Sequence, residues 1–302
     1  MKKPDIIWST KTTFNSFING TKSEMATHIF FTPEKNIRNI WWVVIFYLIL
    51  AAFLFPLIIL ADRYSFEITM LHQVVLILVV SMICQMLRRK PISDLTGNIN
   101  LIWLKELFIG LIIGAALMLL PVLCLTILGY INWQVNIFSY STITSGLSIL
   151  LLAAIAEELL FRGFMFQRLI QSLGKWPAQL LVAGLFLLTH INNPGMTGIV
   201  KTLASVNIFI ASILFGIAYI KTKSLAMPLG LHFMANFMQG TVLGFGVSGG
   251  KDASLLKPVF NNAPVWLSGG DFGIEASILG LCFVILITIS LHFWYPLHRA
   301  RE

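Results

Sequence analysis

The stretch SILLLAAIAEELLFRGFMF, Ser148 to Phe166, is a run of Leu, Ile, Ala and Phe broken by three charges, Glu157, Glu158 and Arg162. It lies in a segment long enough to cross a bilayer, which takes about 20 mostly apolar residues. A charge at the bilayer centre costs about 2.5 to 3.5 kcal/mol on insertion scales, so three of them together point to function.

Outward from that stretch the chain repeats the same apolar texture. Of 302 residues, 57% are hydrophobic and 11% charged, and the mean hydropathy is +0.84. A soluble domain carries roughly 25% charged residues. The pattern predicts an all-α polytopic membrane protein with about eight spans, near 40–61, 66–87, 107–129, 145–167, 177–191, 200–220, 225–246 and 272–295. Proline interrupts three of them, at Pro56, Pro121 and Pro228. Residues 1–39 read as a cytoplasmic or interfacial N-terminal segment, without a cleavable signal peptide, and 40–298 as one transmembrane domain. Two connections, 129–140 and 247–270, read as loops, the second long and bounded by glycine pairs.

The net charge of +8 does not mark a nucleic-acid surface, because the basic residues sit at the ends of apolar segments. Lys35 and Arg38, Arg88 to Lys90, Arg168 and Lys175, Lys221 and Lys223, and Arg299 and Arg301 fall on alternate connections. The positive-inside rule then places both termini in the cytoplasm. Lys251 and Lys257, in the 247–270 loop, fall on the other side. Cys84, Cys124 and Cys282 lie in apolar segments without CxxC spacing and read as small core residues.

Three predicted spans hold polar groups at membrane depth: Glu157, Glu158 and Arg162 in the fourth, Phe186 and His190 in FLLTH of the fifth, and His232 and Asn236 in HFMAN of the seventh. Glu158 and Arg162, four apart, share a helix face and can pair, whereas Glu157 is turned away from Arg162. The carboxylate without a local counter-ion is the one available for proton transfer. His232 and Asn236 also share a face, and both side chains carry the N–H donors an oxyanion needs. Counted from the basic connections at 1.5 Å per residue, Glu157, His190, His232 and Asn236 lie about 16, 22, 13 and 19 Å deep. One intramembrane cluster is therefore geometrically possible. His72 and His292 stand apart from it and read as structural.

EELLFR, FLLTH and HFMAN, in that order on separate spans, match EExxxR, FxxxH and HxxxN. The chain thereby resembles the CPBP family of intramembrane proteases, the CAAX prenyl endopeptidases and their Abi-like bacterial relatives linked to bacteriocin processing and immunity. The resemblance implies a helical bundle around a polar cavity open toward the membrane and the cytoplasmic side. It implies that Glu157 and His190 activate water, that His232 and Asn236 stabilise the oxyanion, and that Glu158 and Arg162 order the site. The implied substrate is a peptide or membrane protein, prenylated or plain, and the short loops favour a bacterial plasma-membrane member. No metal is required on this reading.

Three alternatives remain open on sequence. Glu157, His190 and His232 could form a two-histidine, one-carboxylate zinc site, although HExxH is absent. The chain could be a catalytically silent scaffold or immunity protein that binds a partner. A proton-coupled transporter would also bury Glu and His, but it predicts an internal repeat, and the polar cluster is confined to 157–236.

Overall fold

The computed structural model describes residues 29–137 and 139–294. Most of the predicted N-terminal segment, and the end of the predicted domain, lie outside the described residues. From residue 29 the chain folds back on the first helix: Trp41 Nε1 donates to the Ile29 carbonyl at 2.9 Å, and Phe30 packs on the Trp41 ring.

The helices are α1 (Asn39–Tyr64), α2 (Met70–Leu87), α3 (Ser93–Thr96), α4 (Leu101–Ile127), α5 (Tyr140–Glu158), α6 (Phe166–Leu173), α7 (Lys175–His190), α8 (Gly198–Thr222), α9 (Ala226–Phe237), α10 (Val265–Ser268) and α11 (Ile278–Trp294). Seven residues of π-helix, Leu159–Met165, join α5 to α6, and five more, Met238–Val242, extend α9. The protein is an all-α polytopic membrane protein. Among the described residues, five helical stretches are long and apolar enough to cross a bilayer: Asn39–Tyr64, Met70–Leu87, Ser93–Ile127, Tyr140–Leu173 and Gly198–Thr222.

The other three predicted spans correspond to α7, α9 and α11, of 16, 12 and 17 residues. The expected count of eight therefore rests on shorter helices. In α7 the reason is local, because Asn192, Asn193 and Pro194 follow His190 and end the helix. Pro56 and Pro121 lie inside α1 and α4 as expected. Pro228 is instead the third residue of α9, where a backbone N–H has no intrahelical partner to lose.

Lipid replaces water as the solvent for the outer faces. On α1, Leu48, Phe55 and Ile59 are each 65% exposed, a surface that only an apolar solvent would tolerate. Inside, α4 and α9 approach backbone to backbone. A Cβ at Gly110 would overlap the Met227 carbonyl, one at Gly114 the Leu231 carbonyl, and one at Gly230 the Leu107 carbonyl. Gly110 and Gly114 form a GxxxG motif, and small residues let membrane helices pack without a hydrophobic driving force.

The two ends of the bundle differ. Asp94, Gln167, Arg168 and Lys223 meet at one, the basic end. At the other, the two predicted loops form a sheet instead. β1 (Ile131–Val135) pairs antiparallel with β2 (Leu256–Phe260), Trp133 opposite Pro258. Both are edge strands, so the proline costs no ladder of a central strand. Each strand is only five residues long and its partner lies on the far side of five helices, α5 to α9, so neither looked like a strand in isolation.

Candidate active site

The paired glutamates sit at the end of α5, where the chain widens into the first π-helix. Gly163, with φ −71° and ψ −107°, leaves helical geometry there. Such π turns recur at functional sites because the wider turn re-aims side chains. The i,i+4 pair survives the change: Arg162 Nη1 donates to Glu158 Oε1 at 3.1 Å. Arg162 Nη2 donates to Ser212 on α8, at 2.7 Å to Oγ and 3.2 Å to the carbonyl. Its guanidinium carbon lies 4.8 Å from the Phe186 ring and 5.0 Å from the Phe215 ring. This fully buried cation is thus held by one carboxylate, one serine and aromatic faces.

Glu158 has a second partner. The same Oε1 lies 2.8 Å from His232 Nδ1 on α9. A carboxylate only accepts, so Nδ1 carries a proton and the ring orientation is set. Phe215 stacks on that ring at 4.8 Å and 10°. The arrangement aims His232 Nε2 at Glu157 Oε2, 3.8 Å away. The two glutamates separate as helical geometry predicts: Glu158 is 1% exposed and Glu157 31%. Glu157 Oε2 accepts no hydrogen bond from the described residues.

Glu157, His190, His232 and Asn236 all line one cavity of about 380 Å³, with Phe186 in its wall. Four polar side chains that the sequence places at membrane depth, from α5, α7 and α9, therefore converge. His190 Nδ1 lies 2.8 Å from the Phe186 carbonyl and 3.0 Å from Thr189 Oγ1. A carbonyl accepts, so His190 Nδ1 also carries a proton, and in the neutral ring its Nε2 keeps a lone pair. Phe186 thus serves twice, its ring on Arg162 and its carbonyl on His190.

Among the described residues, no three His, Cys, Asp or Glu side chains form a metal-ligand group. Both ring Nδ1 atoms are already engaged, with the Phe186 carbonyl and with Glu158. His72 and His292 lie outside the cavity; His72 Nδ1 pairs with Thr69 at the start of α2, and His292 packs on Trp176.

Ser212, Phe215 and Glu275 escaped the sequence reading. Ser212 and Phe215 are ordinary residues of a span and carry no signal of their own. Glu275 did carry one, since it falls inside the predicted 272–295 span, an ionisable group at membrane depth like Glu157. The helix begins only at Ile278, and Glu275 belongs to a 3-10 turn, Ile274–Ala276. Its carboxylate lines the cavity and accepts from the Ser248 amide at 2.5 Å and from Gln239 Nε2 at 3.2 Å. Asn193 Nδ2 donates to the Ser248 carbonyl at 3.0 Å. The 247–250 turn, part of the long loop, is therefore pinned into the cavity wall. The cavity lies toward this sheet end, not toward the basic end that the resemblance implied, since Asn193, Pro194, Val247 and Ser248 line it and no basic connection does.

The family model Type II CAAX prenyl endopeptidase Rce1-like matches residues 139–238, a segment that contains all three motifs. No curated protein and no solved structure matches the chain.

Proposed function

With residues 139–238 forming a type II CAAX prenyl endopeptidase Rce1-like domain, a protease domain, we propose that the chain is an intramembrane endopeptidase in which Glu157 activates the attacking water. The observation that carries this reading is the unequal environment of the two glutamates: Glu158 holds Arg162 and His232, while Glu157 faces the cavity.

Glu157 takes a proton from water as the water oxygen attacks the scissile carbonyl carbon. The His190 Nε2 lone pair accepts the second water proton as a hydrogen bond and orients the oxygen. Negative charge then collects on the former carbonyl oxygen. Asn236 and His232 line the same cavity, and their side-chain N–H groups are the donors proposed for it. For His232 this requires a second ring proton, since Nδ1 already donates to Glu158. Collapse of the intermediate breaks the C–N bond, and Glu157 returns its proton to the leaving amine.

The substrate is a peptide or membrane-associated protein, prenylated or plain, reached from within the bilayer. The basic end faces the cytoplasm, both termini lie there, and the host membrane is a bacterial plasma membrane; the distribution of Lys and Arg supports this orientation. The reaction needs no metal. Purified protein in detergent should cleave quenched fluorogenic peptides, with a prenylated and a plain series run in parallel. His190→Ala should lower the rate, and a zinc chelator should leave wild type unchanged. Loss of wild-type activity in chelator would sink the metal-free mechanism. Unaltered cell function in a Glu157→Gln strain would point instead to a scaffold or immunity protein.

A further inference from the structure

A second cavity lies at the basic end, away from the proposed chemistry. Asp94, Gln167, Arg168, Gln171, Tyr219 and Lys223 surround about 330 Å³ where α3, α6 and the end of α8 meet. Arg168 is only 2% exposed. Its Nη2 donates to Gln167 Oε1 at 3.3 Å, a neutral acceptor. Its Nε and Nη1 are buried without a hydrogen-bond partner, and Arg168 enters no ion pair among the described residues. This differs sharply from Arg162, whose charge is matched by Glu158.

A buried guanidinium demands an anion, because its desolvation is otherwise uncompensated. The wall supplies too little. Two cations, Arg168 and Lys223, face one carboxylate, Asp94, and that carboxylate also acts on Arg88. Arg88 and Arg168 both lie over the Phe164 ring, at 5.7 and 5.4 Å, so the region is crowded with positive charge. The unpartnered Nε and Nη1 lie on different edges of the guanidinium, so a phosphate oxygen would take one of them as a single charge-assisted bond beside the Lys223 ammonium. Tyr219 and Gln171, which carry neutral donors, line the same wall.

We infer that this cavity binds a phosphate group, free or on a lipid headgroup, through Arg168 and Lys223. The site is independent of the protease reading, because none of its residues lines the cavity of Glu157. It also lies at the level where the spans end and where headgroups gather.

The test is thermal unfolding of the full chain in detergent. One arm titrates inorganic phosphate against chloride at matched ionic strength. The other titrates short-chain phosphatidic acid in mixed micelles against diacylglycerol, which lacks the phosphate. Wild type should show a saturable rise of the midpoint in at least one arm. A response to inorganic phosphate identifies a free anion, and a response to phosphatidic acid alone identifies a headgroup. Arg168→Gln and Lys223→Gln should each weaken the apparent affinity about tenfold or more, while Lys251→Gln, at the sheet end, should not. Lys223 is exposed and follows α8, so its variant keeps the test readable where Arg168→Gln fails to fold. No saturable rise in wild type, or undiminished binding in both variants, overturns the inference.

Discussion

Glu158 accepts from Arg162 and from His232 through one oxygen, and this shared atom couples the buried charge to the imidazole. Removing Arg162 should therefore do more than delete a cation. Arg162→Ala leaves Glu158 buried without its counter-ion, and breaking such a pair costs about 3 to 5 kcal/mol. Denaturant unfolding in mixed micelles would measure that loss. Ser212→Ala removes only the 2.7 Å hydroxyl bond and leaves the carbonyl contact. Its cost should be smaller, about 1 to 3 kcal/mol for a hydrogen bond to a charged group. The division between the glutamates was legible because it depends only on helical spacing. Ser212 and Phe215 were not, because their roles arise from where α8 packs, which spacing within one segment does not encode.

The helices that carry these side chains are positioned by close backbone contact. α9 places His232 and Asn236, and it lies against α4 at Gly110, Gly114 and Gly230. A side chain at Gly114 would meet the Leu231 carbonyl, backbone that cannot rotate aside. Gly114→Val should destabilise the fold by about 1 to 3 kcal/mol or more, as overpacking does, and shift His232 relative to Glu158. Peptide cleavage should then fall further than the loss of folded protein explains, measured by activity per folded molecule. Hydropathy revealed the long helices because crossing a bilayer requires a long apolar run. It could not reveal the π-helices, since one wider turn leaves composition unchanged and is held by tertiary contacts such as Arg162 with Ser212.

The bundle as a whole has a basic end and a sheet end, with the cavity of Glu157 nearer the second. Ser248 is pinned there between Glu275 and Asn193. Glu275→Ala should release that turn, and hydrogen exchange at the Ser248 amide should speed up while amides of α4 keep their protection. Orientation in the membrane can be read by labelling. With Cys84, Cys124 and Cys282 replaced, a cysteine at Lys251 should react with an impermeant maleimide on intact cells, and one at Lys175 should react only after lysis. The reverse pattern would invert the topology. The pairing of β1 with β2 lay beyond sequence reading because it joins segments on either side of the motif-bearing helices. The alternation of basic connections was visible because charge placement follows the membrane and not the packing.

In the proposed mechanism one glutamate reacts while its neighbour positions. Cleavage rate and unfolding midpoint should be measured side by side for wild type, Glu157→Gln and Glu158→Gln. Both variants should lose activity, Glu157→Gln by about 10² to 10⁴-fold as expected for a general base. Only Glu158→Gln should also lower the midpoint, because it leaves Arg162 without its buried counter-charge. Wild-type cleavage by Glu157→Gln, or equal destabilisation by the two substitutions, would contradict the account.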